Sequence, residues 1–265
     1  GDIYTVPANG GRALQITTHP SHDTRPVWSP DGKTLAFASD RMGSMDIFVV
    51  DKEGGTPKRL TTHSGNETPI TFKDNGHLLF QANILPSTED MQFASGQIPQ
   101  VYEVSIEGGR PAMFSSMPME DISFSLDGKK ILYHDKKGYE DPWRKRHTSS
   151  ITRDVWMCNL EGERSYKKLS TFNGEDRNPV WANTDTYYYL SEQNGSFNVF
   201  KASLNGGNSV QITKHEKHPV RFLSRANNGM LCYGYDGGIY TLKEGEQPQK
   251  VNIKVVTDQI NRDII

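Results

Sequence analysis

The 265 residues carry 30 Lys and Arg against 32 Asp and Glu, a formal charge of −2, so the positive excess of a nucleic-acid binder is missing. Only 34% of residues are apolar, yet 10% are aromatic, and disordered chains are poor in aromatics. No apolar run approaches the ~18 residues of a membrane-spanning helix, and 24 Gly with 14 Pro suit strands and turns better than a helical bundle or coiled coil.

One short motif recurs along the chain: Asp2-Ile3-Tyr4, Asp46-Ile47-Phe48, Gln100-Val101-Tyr102, Asp154-Val155-Trp156, Asn198-Val199-Phe200 and Gly238-Ile239-Tyr240. A β-branched residue followed by an aromatic is strand chemistry. The central residues lie 44, 54, 54, 44 and 40 positions apart. Gly pairs follow at 10–11, 54–55, 108–109 and 206–207, as tight hairpins require. Each turn leads into a second short strand ending in Thr or Ser, as in Leu14–Thr17, Arg59–Thr61, Lys168–Ser170 and Val210–Thr213.

A further strand pair precedes each of the last five copies. It is clearest as Pro26–Gly32 leading into Thr34–Ala38, and returns at Ile70–Gly76, Ile122–Gly128, Val180–Asp185 and Arg221–Gly229. The unit is therefore four antiparallel strands, a-b-c-d, in 40–54 residues. That is the period and content of a β-propeller blade. The fold expected is an all-β, six-bladed propeller of four-stranded antiparallel blades whose first blade is incomplete. Residues 2–17 supply only strands c and d. Full blades are expected at about 26–61, 69–116, 121–170, 179–213 and 219–255. The tail from Val256 is too short for the missing pair, so the chain reads as one domain of a longer protein.

Two b→c connections are abnormally long, Gln81–Gln100 and His134–Asp154, on neighbouring blades and one face. Long insertions in compact domains are usually functional or disordered. In the second, Trp143, Arg144, Arg146 and His147 combine an aromatic with cationic groups, which suits a carboxylate and a stacked ring. A solvated loop anchored by its Trp fits the same residues. Charged or imidazole groups just before strand a (Asp23 and Arg25, Glu67, Glu120 and Asp121, Asp176 and Arg177, and His218) are expected to ring the central opening, with Arg25, Glu67, Asp121, Arg177 and His218 singled out at its mouth. Capping of buried strand ends is the competing role.

No GxSxG, HExxH or GxxxxGK[ST] motif occurs, so no catalytic residue is nominated. The histidines show no metal-ligand spacing, and Cys158 and Cys232 form no CxxC pair, so neither metal nor cofactor is expected. One disulfide or two buried free thiols both remain open, the second preferred.

The strings Trp28-Ser29-Pro30-Asp31-Gly32-Lys33, Ala36–Arg41 and Asp46–Val50 resemble the TolB-type propeller repeat. Trp143–Ser150 with Thr152–Trp156, Gly174–Pro179, His218–Leu223 and Leu231–Gly237 is similar to the N-terminal propeller of tricorn-like serine peptidases. In that family, a second propeller, a PDZ domain and a peptidase domain follow, and the catalytic residues lie in the C-terminal part. The resemblance implies a non-catalytic domain that binds or gates peptide or unfolded-protein substrates, with other domains of the parent chain as partners. It also implies a periplasmic or exported setting, without membrane insertion. A TolB-like protein-interaction module is the alternative, and a stand-alone propeller hydrolase or lyase a more distant one.

Overall fold

A computed structural model describes residues 1–84, 99–139, 141, 143–144, 146 and 148–256. Five sheets have four strands in simple sequential order. The first comprises β4 (Asp23–Trp28), β5 (Thr34–Ser39), β6 (Asp46–Asp51) and β7 (Lys58–Arg59); the second, β8 (Glu67–Asp74), β9 (His77–Ala82), β10 (Gln100–Ser105) and β11 (Ala112–Ser115). The third comprises β12 (Met119–Phe124), β13 (Lys130–Asp135), β14 (Val155–Asn159) and β15 (Ser165–Lys168). The fourth is β16 (Asp176–Trp181), β17 (Thr186–Ser191), β18 (Asn198–Ser203) and β19 (Val210–Gln211). The fifth is β20 (Arg221–Arg225), β21 (Leu231–Tyr235), β22 (Gly238–Leu242) and β23 (Gln249–Lys250). Every pairing inside these sheets is antiparallel.

The first strands β4, β8, β12, β16 and β20 adjoin one another in turn, so they line the axis and the chain is a β-propeller. Alternation along each strand sends side chains to opposite faces, and successive sheets stack through them. Ala36, Ile47 and Val49 of the first blade meet Phe72, Leu78 and Phe80 of the second. Tyr188, Leu190 and Val199 of the fourth meet Leu223, Leu231 and Tyr233 of the fifth.

The sequence predicts six blades; the described residues form five four-stranded ones. In place of the sixth stands a two-stranded ribbon, β1 (Tyr4–Thr5) with β3 (Leu14–Gln15). Among the described residues, strand β1 pairs with β3 alone, on one side. The ribbon nevertheless stacks as a blade would: Ile3 and Ile16 are buried against Leu35, Phe37, Phe48 and Val50 of the first blade. A parallel pair that the sequence reading lacks joins the two ends of the ring: β2 (Gly11–Arg12) runs beside β24 (Ile253–Lys254).

Two local devices explain why the repeated sequence gives repeated structure. In the a→b turn, Ser29 Oγ donates to Asp31 Oδ1 at 2.7 Å and accepts from Thr34 N at 2.9 Å, while Gly32 takes a φ of 68°. Ser125, Asp127, Lys130 and Gly128 repeat that arrangement two blades on. The Thr or Ser ending strand d bonds the start of strand c. Amides of Ile3, Ile47, Val155 and Val199 donate to Thr17 Oγ1, Thr61 Oγ1, Ser170 Oγ and Thr213 Oγ1 at 2.7–2.9 Å.

Candidate functional site

Four inner strands break their register with strand b at the same place, whereas β8 of the second blade breaks one residue later, after Pro69, and again after Phe72. In four blades the residue that opens this bulge is Arg25, Asp121, Asn178 or Phe222, with φ between 49° and 57°. A left-handed conformation is costly for a side chain with a Cβ, and Asn and Asp tolerate it best. In the second blade the position holds Pro69, whose ring forbids positive φ. A bulge re-aims its side chain out of the sheet. Arg25, Asp121 and Phe222 are accordingly exposed and Asn178 half-buried, although all four sit on the innermost strands.

The other expected axial groups occupy different levels. Glu67 opens β8 and is fully buried. Thr61 Oγ1 donates to its Oε2. Burial, reinforced by the neighbouring Asp46 carboxylate, pushes its pKa up to about 7 against the opposing effects of Thr61 and Arg59. Arg177 is also buried, with its guanidinium 4.2 Å over the Phe197 ring and 3.3 Å from Glu175 Oε1. Desolvation lowers its pKa to about 10. His218 is half-buried on the loop before β20, with Nε2 3.3 Å from Asp236 Oδ1.

Between the third and fourth blades these groups belong to a larger buried network. Arg153 Nη1 donates to Glu175 Oε1 at 3.1 Å and its Nε lies 3.4 Å from Glu120 Oε2. Glu120 also meets His134 Nε2 and Lys136 Nζ, both at 3.1 Å. Burial alone would raise the Glu120 pKa; His134, Lys136 and Arg153 together hold it well below the usual carboxylate range. Asp121 adjoins the network through His134 Nδ1, 3.5 Å away, and through Asn178 Nδ2.

The second insertion lies across this face. The Arg146 amide donates to Glu192 Oε2 at 2.7 Å and its Nε to the Gly195 carbonyl at 2.9 Å, both in the fourth blade. Trp143 reaches the fifth blade: its carbonyl accepts from Arg221 Nη2 at 3.2 Å, and that guanidinium sits 4.7 Å over the indole. Its indole also stands edge-on to Phe222 at 6.2 Å. The Trp143 and Arg144 amides bond Asp141, and the Arg144 side chain is exposed. His147 lies outside the described residues, as do residues 85–98 of the first insertion. Arg146 also borders an open polar cleft of about 410 Å³ lined by Asn198, Gln211, Lys214, His215 and Glu216.

Of the nine expected residues, the structure gathers Asp121, Arg177, Trp143 and Arg146 over the third to fifth blades. Arg25 stands on the first blade's inner strand, and Glu67 is sequestered between blades. Sequence reasoning places Glu120 beside Asp121 before strand a but misses Phe222, Asn178, His134, Arg153 and Glu175. Aligning the inner strands by blade puts Arg25, Pro69, Asp121, Asn178 and Phe222 in one column, so the repeat itself carries the signal for the bulge. No group of three or more potential metal ligands occurs among the described residues, and both cysteines are free.

Residues 1–248 match the family model described as the tricorn protease N-terminal β-propeller domain. Tricorn protease homolog 1 of Streptomyces coelicolor is 21% identical over 96% of this chain, which spans 23% of that protein. The crystal structure of the tricorn protease superposes on 98% of the chain with a TM-score of 0.79 at 20% identity, and 25% of that protein is covered. A TolB-type protein from Agrobacterium tumefaciens gives a TM-score of 0.66 at 15% identity, covering 90% of this chain and 83% of the other. The chain thus spans about a quarter of the tricorn proteins it resembles. It belongs to the family of tricorn protease N-terminal β-propeller domains.

Proposed function

We propose that this chain is a non-catalytic propeller module of a tricorn-like protease. It receives extended or unfolded peptide on the face crossed by the 134–154 insertion and gates its access to catalytic residues elsewhere in the parent protein. The observation that carries this reading is the strapping of the insertion over three blades. Arg146 is tied to Glu192 and Gly195, and Trp143 to Arg221, so a long loop is held in place above the inner strands. A loop held this way presents its exposed groups at low entropic cost to a ligand. The setting proposed is periplasmic or exported.

Completion to six blades belongs to the same proposal. The two-stranded ribbon already stacks on the first blade, and among the described residues β1 lacks a partner on its inner side. An a–b hairpin supplied by the parent protein would pair with β1 and cover Trp28, which is 48% exposed on β4.

Titration of unstructured peptides against the wild-type chain and an Arg144→Ala, Arg146→Ala double variant tests the reading. Weaker binding by the double variant is expected; unchanged binding removes the insertion from the site. Failure of wild type to bind any peptide, together with recovery of a folded partner on the same face, would favour a TolB-like interaction module.

A further inference from the structure

Phe222 is the anomaly among the bulge residues. Its counterparts are Arg25, Pro69, Asp121 and Asn178, yet here a large apolar ring adopts a φ of 57° and remains 67% exposed. A bulky side chain in that region is a genuine conformational outlier. The ring adds little to the core, so the strain is not offset by burial. Beside it, Trp143 is 60% exposed although its backbone is fixed at both ends, by Asp141 Oδ1 on its amide and by Arg221 on its carbonyl. The two rings meet at 76°, an edge-to-face arrangement that a third ring can join.

The charges around this pair are unequal. Arg144, Arg146, Arg177 and Arg221 stand against Asp141, Glu175 and Glu192, and Asp141 and Glu192 already accept backbone amides. Such an excess favours an acidic neighbour, through a field that salt screens.

We propose that Trp143, Phe222 and Arg221 form a recognition platform for an aromatic side chain next to a carboxylate in an extended peptide. This assigns a substrate class to the site and rests on the peptide-binding reading above. Phe222 and Trp143 supply the apolar contact, while Arg221 holds the indole in place and contributes to the positive field.

The test uses three short labelled peptides that differ only at the centre: Phe-Glu, Ala-Glu and Phe-Gln. Wild type is expected to bind the Phe-Glu peptide about tenfold more tightly than the Ala-Glu peptide, the size of one aromatic contact. Trp143→Ala and Phe222→Asn should each erase most of that preference. The preference for Phe-Glu over Phe-Gln should fall with added salt. Equal binding of Phe-Glu and Ala-Glu by wild type overturns the platform while leaving the peptide reading intact. So does a preference that survives in both the Trp143→Ala and the Phe222→Asn variants. Failure of all three peptides to bind overturns the peptide reading and this assignment together.

Discussion

Trp28 and Trp181 occupy the same register at the ends of β4 and β16, but Trp28 is 48% exposed and Trp181 only 6%. The difference lies in the preceding blade. Trp181 Nε1 donates to the Ser123 carbonyl of β12 at 2.9 Å, and its ring packs with Leu132 and Tyr187. Among the described residues no such inner strand precedes Trp28, where the ribbon of β1 and β3 stands instead. Trp181→Ala should therefore cost about 3–5 kcal/mol of stability in urea titration, whereas Trp28→Ala should cost less than about 1 kcal/mol. In the full-length protein the Trp28 cost should rise toward that of Trp181 if a parent hairpin completes the blade.

Thr213 shows what the repeated hydroxyl does. Its Oγ1 accepts the Val199 amide and donates to Asn198 Oδ1, both at 2.9 Å, in a buried setting. Thr213→Val keeps the shape and strands a buried amide. A loss of about 1–3 kcal/mol is expected, with native circular dichroism retained. Thr213→Ser, which keeps the oxygen, should recover most of it.

The same hydroxyls show why the blade was readable from sequence and the site only partly so. Strand c, the Gly turn and the terminal Thr or Ser recur at fixed spacing, and their bonds lie within one hairpin, so local pattern suffices. The parallel pairing of Gly11 with Ile253 joins the chain's two ends, and no local pattern encodes it. Arg153, Glu175 and His134 come from two blades and look like ordinary surface charges until stacking buries them. Arg177 was expected at the opening and lies beneath it. The bulge sends position 178 outward, while residue 177 packs over Phe197.

Arg153 is the test of that buried network. It links Glu175 and Glu120, and its own pKa is raised by these two carboxylates despite burial. Arg153→Met leaves two buried carboxylates short of a cation. A loss of about 3–5 kcal/mol at neutral pH is expected. Carboxylates deprived of a cation ionise less readily, so the deficit should shrink as pH falls, which differential scanning calorimetry across pH can read.

Phe222→Asn separates fold from recognition. Asn178 already adopts a φ of 49° at the equivalent bulge. Asn tolerates that backbone better than Phe, and the lost ring is mostly exposed. Thermal melting should show no loss, or a gain of up to about 1 kcal/mol. A loss of several kcal/mol would mean that the ring supports the packing of the fifth blade.

Glu67 sets the sign of one pH effect. Its folded pKa is raised from the model-compound value of 4.5 to about 7, chiefly by burial. Between those values the folded state holds a proton that the unfolded state has released. The carboxyl therefore makes stability fall as pH rises through this window, with the full penalty present above pH 7. Glu120, with its depressed pKa, acts in the opposite sense and withdraws stability only as pH falls below the ordinary carboxylate range. Glu67→Gln removes the ionisation and keeps an oxygen for the Thr61 hydroxyl. The melting temperature of this variant should vary less with pH between 4.5 and 7 than that of wild type, with its relative gain largest at the alkaline end. Parallel profiles for the two proteins would show that Glu67 does not titrate in this window.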